Sequence, residues 1–164
     1  MIQHDADGAM GLVLTRPTDT TVGEVWQQLS ENEELDLEEI SDACLQLPIC
    51  IGGPVPGQLI AVHDLADCSE TEVMTGLYVA TQRATLMRLF QSDARIRLYT
   101  GYAGWSEGQL EDELQMGGWL TCDASVESVL GDPNSLWDEV VKKIGQDILG
   151  LNDKSQLPDD PSMN

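Results

Sequence analysis

The sequence predicts an α+β fold in one domain, with a mixed or mainly antiparallel sheet. Three observations support this prediction. The chain has 164 residues, which suits a single hydrophobic core. Short strand patterns are scattered among short helical patterns, without the regular alternation that builds a parallel sheet. Two passages, at residues 8–18 and 101–111, combine glycines with large apolar residues, which indicates backbones that pack closely together.

The first predicted strand runs from Met10 to Thr15, and Pro17 stops it. Thr21 and Glu24 then form a capping box, in which each side chain can bond the backbone N–H of the other residue, so a helix begins here. Its apolar face consists of Val22, Val25, Trp26 and Leu29. Residues 30–42 are rich in Asp and Glu and lack Lys and Arg, which predicts an exposed loop.

The middle of the chain predicts three strands and one helix. Two strands, at residues 47–51 and 58–63, flank a turn rich in glycine and proline, and a further strand spans residues 76–81. Residues 84–90 have the apolar spacing of a short amphipathic helix. Residues 95–102 alternate Ile96, Leu98 and Thr100 with Arg95, Arg97 and Tyr99, which predicts a strand with one polar side.

The last third of the chain predicts two helices. A second capping box, of Ser106 and Gln109, opens a helix that ends near Gly117, and a short strand is expected at residues 119–122. Asp132 caps the last helix, with Pro133 at its first position. Residues 152–164 are polar, contain two prolines and are predicted to be disordered, so the predicted domain spans residues 1–151.

Charge is the most unusual property of the composition. The chain has 29 acidic and 8 basic residues, for a formal net charge of −21. Nucleic-acid binding draws on Lys and Arg that neutralise phosphates, so no direct DNA binding is expected, and anionic membrane surfaces are disfavoured for the same reason. No apolar run reaches the ~18 residues of a membrane helix. Residues 1–8 lack the order of a signal peptide, so a cytoplasmic protein is expected.

The cysteines and histidines predict no metal site. The cysteines, at positions 44, 50, 68 and 122, lack the CxxC spacing of zinc and redox sites and are expected to be reduced and packed. The only histidines are His4 and His63. His63 and Asp64 could form an acid–base pair with Asp67, but a hydrogen-bonded structural histidine is favoured. The glycine-rich turns lack the spacing of phosphate loops, and no cofactor is predicted.

Several motifs in combination identify a family resemblance. They are Gly8–Leu14 with Arg16-Pro17-Thr18, Gly52-Gly53-Pro54-Val55, Gly101–Trp105 with Gly108-Gln109-Leu110-Glu111, Trp119-Leu120 and Trp137. Over about residues 5–149 the chain resembles the YqgE/AlgH family of small bacterial proteins. The resemblance implies a strongly bent sheet that forms a pseudo-barrel flanked by short helices. The activity of this family is not established, although some members are labelled transcriptional regulators.

The chain departs from the family pattern in three places. Family members usually carry a further strand and a proline-rich turn before the first motif. The acidic stretch at residues 31–42 is longer than usual, and Thr15 stands where the family usually has Asn. Without the further strand, one edge of the predicted strand at residues 10–15 is expected to stay open. The chain is then expected to be less stable, or more prone to aggregate, than a version extended upstream.

Two candidate binding surfaces follow. The first would contact a protein partner through the glycine-rich motifs and their aromatic residues: Arg16, Gly52, Gly53, Pro54, Gly101, Tyr102, Gly104 and Trp105. The alternative use of these glycines is the close packing of bent strands. The second is an anion patch for a phosphate or nucleotide, formed by Arg83, Arg88, Arg95 and Arg97. The alternative for these arginines is pairing with the protein's own carboxylates.

Residues 104–108 match the G-x-S-x-G pattern of a hydrolase, with Ser106 as nucleophile. No histidine follows Ser106 in the chain, and the capping box already uses its hydroxyl, so a serine hydrolase is the least favoured hypothesis. The preferred interpretation is a non-enzymatic protein that acts on a protein partner, with any regulatory effect passing through that partner. Binding of a small molecule or nucleotide by the four arginines is the alternative, and enzymatic activity stays an open question.

Overall fold

The structure, a computed structural model, describes residues 1–30 and 40–149. Its strands are β1 (Gln3–Asp5), β2 (Gly8–Gly11), β3 (Pro17–Thr21), β4 (Pro48–Ile51), β5 (Val55–His63), β6 (Thr71–Met74), β7 (Leu77–Ala80) and β8 (Ile96–Ser106). Its helices are α1 (Val22–Ser30), α2 (Asp42–Leu45), α3 (Arg83–Phe90), α4 (Gln109–Gln115), α5 (Val126–Leu130) and α6 (Pro133–Ile148). The predicted acidic loop lies largely outside the described residues, and the predicted tail lies wholly outside them.

Strand β8 organises the sheet, whose order is β1–β2–β8–β5–β7–β6. One edge of β8 pairs with β5, and the other pairs first with β4 and then with β2. The β4–β8 pair is parallel and the other described pairs are antiparallel. The sheet is therefore mixed and mainly antiparallel, as predicted. It bends into a nearly closed barrel with short helices around it, which confirms the fold that the resemblance implied.

The change of partner along β8 takes place at Gly101. This residue has a φ of +72°, in the left-handed region that favours glycine. On one side of it, Leu98 to Thr100 pair with β4, and on the other, Ala103 to Ser106 pair with β2. The bend at Gly101 therefore lets one long strand serve two parts of the barrel.

Two hydrophobic clusters lie on opposite faces of β8, because successive side chains of a strand alternate. Ile96 and Leu98 pack with α1, α2 and α3, whereas Tyr99 packs in a cluster that includes residues of α5. The prediction that one side of this strand is polar and exposed is wrong. Arg97 is 8% exposed and Tyr99 is fully buried, because α5 covers that face and Val129 accepts a bond from Arg97.

The first strand differs from its prediction. β2 ends at Gly11, although Leu12 and Leu14 continue to pack against the second cluster. The expected open edge is absent from β2, because β1 pairs with one side of it and β8 with the other. The short strand β1 takes the edge position instead. The strand predicted at residues 119–122 does not form.

Two of the three predicted helix starts are confirmed. At the start of α1, Glu24 accepts a bond from the Thr21 backbone N–H at 2.9 Å, and Thr21 Oγ1 accepts one from the Glu24 N–H at 3.4 Å. At the start of α6, the Asp132 carboxylate accepts a bond from the Asn134 N–H at 2.9 Å. Within residues 1–30 and 40–149, no helix combines the length and apolar character needed to cross a membrane.

The N-terminus of helix α3 is capped by Glu70, a residue more than ten positions earlier in the chain. The side chain of Gln82 makes no cap, and Glu70 accepts bonds from the backbone N–H groups of Thr81 at 2.8 Å and Gln82 at 3.0 Å. Partial burial on its own would raise the pKa of Glu70. Bonds from these N–H groups and from the side chains of Thr85 and Thr81 outweigh that effect and hold this pKa below its ordinary value.

Glu70→Gln is expected to lower stability by about 1 kcal/mol at neutral pH, the usual worth of a helix cap. The folded-state pKa of Glu70 is depressed, so its carboxylate stabilises the fold above the unfolded pKa of 4.5 and loses this effect as pH falls through the folded-state value. The difference in unfolding free energy between wild type and variant, measured in urea, should therefore shrink between about pH 5 and pH 3. A constant difference over that range would contradict the cap.

Candidate functional site

The glycine-rich motifs meet where the turn after β4 crosses β8. A Cβ on Gly53 would lie 2.1 Å from the carbonyl carbon of Tyr102, and one on Gly52 would lie 2.3 Å from the carbonyl oxygen of Gly101. Gly8 is crowded in the same way by the backbone of β8. Backbone atoms already fill these places, so the glycines pack strands against each other.

The first candidate surface is thus divided into packed and accessible members. Gly52 and Gly101 are buried, and Gly53 is held against Tyr102. The exposed members are Arg16, Pro54 and Gly104, and the partly buried ones are Tyr102 and Trp105. A partner can therefore contact the side chains around the crossing, among which Trp105 is the largest.

The helix cap predicted for Ser106 is wrong. Ser106 ends β8, and the residue at the N-cap position of α4 is Gly108, which has a φ of +72°. One bond of the predicted box forms, from the Ser106 backbone N–H to Gln109 Oε1 at 3.1 Å. The left-handed turn at Gly108 moves the helix start downstream, so the Ser106 hydroxyl does not cap it.

A carboxylate joins two tryptophans at the surface beside this turn. One oxygen of Glu113 accepts bonds from the indole N–H of Trp105 at 3.0 Å and of Trp119 at 2.6 Å, and the other accepts one from Gln109 Nε2 at 2.9 Å. The two rings contact edge to face, with centroids 5.8 Å apart. The bonds from Trp119, Gln109 and Trp105 hold the pKa of Glu113 below its ordinary value, so a charged carboxylate fixes both rings.

Exposed apolar side chains adjoin these rings in the sequence. Trp119 is 48% exposed, Met116 is 78% exposed and Leu120 is 70% exposed. We call the surface of Trp105, Glu113, Met116, Trp119 and Leu120 the indole face. Apolar side chains beside fixed aromatic rings are typical of recognition surfaces.

The surroundings of the indole face are acidic. Exposed carboxylates near it in the fold belong to Asp5, Asp7, Glu107, Glu111 and Asp112. His4 on β1 bonds Glu111 on α4 at 2.6 Å, so the β1–β2 hairpin and α4 lie side by side. In the sequence, no Lys or Arg occurs between Arg97 and Lys142. The indole face therefore presents rings and carboxylates, and α4 and the β1–β2 hairpin contribute His4 but no Lys or Arg.

A small pocket of about 190 Å³ opens beside Trp105. Its lining includes Gln3, Asp5 and Asp7 of the β1–β2 hairpin and Trp105 of β8. The Gln3 side chain and the Asp7 backbone N–H both donate to the Asp5 carboxylate. The bond from Gln3, and after it the bond from Asp7, holds the pKa of Asp5 below its ordinary value. Trp105 is opposite Ala9 and Ala9 is opposite His4 in the register of the three strands, so the side chains of Trp105 and Asp5 extend from opposite faces of the sheet.

The structure does not bring the four arginines of the second candidate surface together. Arg83 and Arg88 lie on α3, which packs on one face of β8. Arg97 extends from the other face and donates to the carbonyl oxygens of Leu14 at 2.5 Å and Val129 at 2.8 Å.

Arg95 pairs with an acidic side chain, as the alternative reading of the arginines proposed. Its Nε donates to Asp64 at 2.7 Å, and a second nitrogen lies 3.9 Å from Glu127. The Asp64 carboxylate, which the sequence placed in an acid–base group with His63 and Asp67, is therefore engaged by Arg95. Arg95 and Arg97 therefore both have internal partners, one a carboxylate and the other two backbone carbonyls.

His63 is fully buried, and its ring packs near Tyr78. Its Nδ1 accepts a bond from the Leu65 backbone N–H at 3.3 Å, and its Nε2 has no partner among the described residues. Burial lowers the pKa of His63 below its ordinary value, in spite of the nearby Asp64 and Glu70, which favours the neutral ring. The predicted structural histidine is therefore hydrogen-bonded at Nδ1, whereas its Nε2 has no such bond among the described residues.

The cysteines are packed as expected. Cys44, Cys50 and Cys68 are buried, Cys122 is partly buried, and all four are free thiols. Burial raises the pKa of Cys44 to about 11, which keeps it protonated at neutral pH. Among the described residues, no group of His, Cys, Asp and Glu has the arrangement of a metal site.

Two apolar cavities of about 540 Å³ each lie beneath residues 122–124. One reaches toward β6 and β7, and the other lies against α6; they share Leu14, Cys122, Asp123, Ala124 and Val129. Their size suits a small organic molecule, and their walls are mostly apolar. None of the four candidate arginines lines them.

Sequence reasoning missed two parts of this site. The sequence predicts a strand at Trp119, whereas this residue lies outside any strand and its ring contacts that of Trp105. The pocket depends on β1, a strand of three residues that no alternation signalled. The sequence held one usable signal for the indole face, namely two tryptophans that flank a short acidic helix.

Comparison with known proteins places the chain among similar sequences over the whole described domain. A family model described as AlgH-like matches residues 1–149. A UPF0301 protein of Myxococcus xanthus is 34% identical over 151 residues, covering 90% of this chain and 80% of that protein. One of Ruegeria pomeroyi is 32% identical over 159 residues, covering 93% and 83%.

Solved structures share the fold. The solution structure of the AlgH protein from Pseudomonas aeruginosa matches with a TM-score of 0.72 and 27% identity, over 96% of this chain and 82% of that one. The crystal structure of DIP2367 from Corynebacterium diphtheriae matches with a TM-score of 0.62 and 19% identity, over 86% and 73%, and bears on the fold alone.

Proposed function

The chain belongs to the AlgH-like family, and we propose that it is a binding protein that recognises a protein partner through its indole face. The barrel serves as the scaffold, and the glycine crossing sets the path of β8 and the position of Trp105. Any regulatory effect passes through the bound partner. The proposal assigns no reaction to the chain.

The observation that carries this proposal is the fixed pair of tryptophans. Glu113 bonds both indole N–H groups, so the rings are held in place before a partner arrives. Rings fixed in this way lose little conformational freedom on binding, which favours affinity. Tryptophan is also enriched among the residues that dominate protein interfaces.

Binding of a small molecule is the second candidate function. The two apolar cavities support it, and the dispersed arginines do not support a nucleotide site. A thermal-shift screen distinguishes a site for apolar molecules from a site for nucleotides. Stabilisation by apolar metabolites would favour the cavities, and stabilisation by nucleotides would favour a site at the arginines.

Partner capture with paired variants tests the proposal. Trp119→Ala removes an exposed ring of the indole face, and Trp137→Ala removes an equally large ring, 65% exposed, from α6. We expect proteins captured from the source organism by the wild type and by Trp137→Ala to be lost with Trp119→Ala. Each captured protein is then purified and its affinity for the three forms is measured. Equal affinity for all three would overturn the proposal.

A further inference from the structure

We infer that the protein has a further binding site, a pocket beside Arg97 that takes a short-chain aliphatic carboxylate. The pocket has a volume of about 200 Å³ and lies between β4, the first residues of β8 and the junction of α5 with α6. Trp105 lies near the other end of β8, so this inference goes beyond the proposed function and does not depend on it. The register of the sheet, the burial of Arg97 and the walls of the pocket support it in turn.

The register of the sheet places the Arg97 side chain at this pocket. β4 and β8 run parallel, with Cys50 opposite Tyr99. Arg97 and Tyr99 are two residues apart in β8, so both side chains extend from the same face of the sheet as that of Cys50. α5 packs on this face, and Leu130, at its end, lines the pocket together with Cys50 and Arg97.

Arg97 carries a buried positive charge that no described carboxylate neutralises. The residue is 8% exposed, and its guanidinium donates to the carbonyl oxygens of Leu14 and Val129. Among the described residues it forms no ion pair, whereas Arg95 pairs with Asp64. Burying a charge costs free energy unless the charge is paired, so an anion that enters the pocket gains a favourable partner.

The guanidinium has further N–H groups for such an anion. Arginine has five N–H donors in one plane, and the two carbonyl bonds use one on each terminal nitrogen. Within residues 1–30 and 40–149, the Nε–H of Arg97 makes no hydrogen bond, yet Nε is not one of the enclosed atoms without a partner, which belong to Trp26, His63 and Tyr99. This N–H is therefore available to a ligand in the pocket that Arg97 lines.

The walls of the pocket indicate the class of anion. They are mostly apolar, with Leu47, Pro48, Leu130 and Pro133 among them, and Arg97 is the charged residue of the described lining. One guanidinium matches the two oxygens of one carboxylate, whereas a phosphate dianion would leave most of its oxygens without a donor. An aliphatic chain would lie against the apolar walls. The volume is below the ~300 Å³ at which sites for drug-sized molecules begin, so this chain is short.

The test follows butyrate binding to the full 164-residue protein in ¹H–¹⁵N spectra. The signals of the site are the Nε–H of Arg97 and the backbone N–H of Gly131, and the indole N–H of Trp105 is the control. Butyramide has the same shape without the charge, and sodium chloride keeps the ionic strength constant. We expect butyrate to shift the two site signals with a dissociation constant on the order of 1–10 mM, as suits so small a ligand. Butyramide and inorganic phosphate are expected to bind at least about tenfold more weakly.

Three results would overturn the inference. The first is the absence of a saturable shift of the Arg97 and Gly131 signals at about 50 mM butyrate. The second is equal affinity for butyramide, which would show that the charge of Arg97 plays no part. The third is equal affinity for phosphate, which would show a site for anions in general.

Paired variants at Cys50 test the place of binding. Cys50→Leu extends a longer side chain into the pocket and keeps Arg97, whereas Cys50→Ala leaves the pocket open. We expect Cys50→Leu to weaken butyrate binding at least about tenfold and Cys50→Ala to change it less than about threefold. Equal affinity of the two variants would contradict the inference. If Cys50→Leu fails to fold, Arg97→Met is compared with Arg88→Met, and butyrate affinity that is the same in both would contradict it equally.

Discussion

Gly53→Ala is expected to lower the free energy of unfolding more than any other substitution proposed for this protein. The added Cβ would lie 2.1 Å from the carbonyl carbon of Tyr102 and 2.3 Å from its oxygen, so the backbone of β8 has to move. Backbone is far less able to give way than the end of a flexible side chain. We expect a loss of more than about 3 kcal/mol, at the upper end of the usual cost of overpacking. Urea unfolding followed by circular dichroism measures it.

Gly145→Ala is the matched control for this prediction. Gly145 lies inside α6, and a Cβ there would meet no atom within 4 Å. We expect this substitution to stabilise the protein by up to about 1 kcal/mol, because alanine is the better helix former. If the two alanines had the same effect on unfolding, the close crossing of the turn and β8 would be disproved.

Arg97→Met is expected to have the second largest effect. Arg97 is 8% exposed, and its guanidinium ties Leu14, after β2, to Val129, on α5. It also lies over the ring of Tyr99, 5.6 Å from the centroid. Methionine fills part of the volume but leaves both carbonyl oxygens without this donor. A fully buried group that loses its bond costs about 1–3 kcal/mol, and because these two carbonyls belong to partly buried residues we expect about 1 kcal/mol for each and about 2 kcal/mol in total.

Arg88→Met provides the comparison for Arg97→Met. Arg88 is exposed on α3, and an exposed substitution of this kind usually changes stability by less than about 0.5 kcal/mol. Both unfolding free energies are measured at the same salt concentration, so that the common loss of one positive charge cancels. A similar loss for both variants would mean that Arg97 contributes charge alone and does not hold the barrel to α5.

The elements whose partners are near in sequence could be predicted. Thr21 and Glu24 are three residues apart, and Asp132 caps a helix that begins at the next residue, so their chemistry is complete within one turn. The close packing of the glycine motifs could also be predicted, because several glycines beside bulky residues indicate neighbouring backbones. The resemblance to a family supplied the barrel, which local patterns do not specify.

The predictions that were wrong concern residues whose environment depends on contacts or turns that local patterns do not show. Arg97 stands in an alternating pattern that predicts an exposed side, and only the packing of α5 some thirty residues later buries it. Ser106 stands in a sound capping box, but the left-handed turn at Gly108 moves the helix start past it. Trp119 belongs to no regular element, and its position is fixed by a bond to Glu113 and by the ring of Trp105.

The chain has four tryptophans, and their indole N–H signals in a ¹H–¹⁵N spectrum test the central claim most directly. Trp105 and Trp119 belong to the indole face, whereas Trp26 is buried in the first core cluster and Trp137 is exposed on α6. The protein is titrated with a purified protein that the wild type has captured, and the four signals are followed in one experiment. The account predicts that the signals of Trp105 and Trp119 shift together while those of Trp26 and Trp137 stay in place. A shift of the Trp137 signal with those of Trp105 and Trp119 unchanged would contradict it.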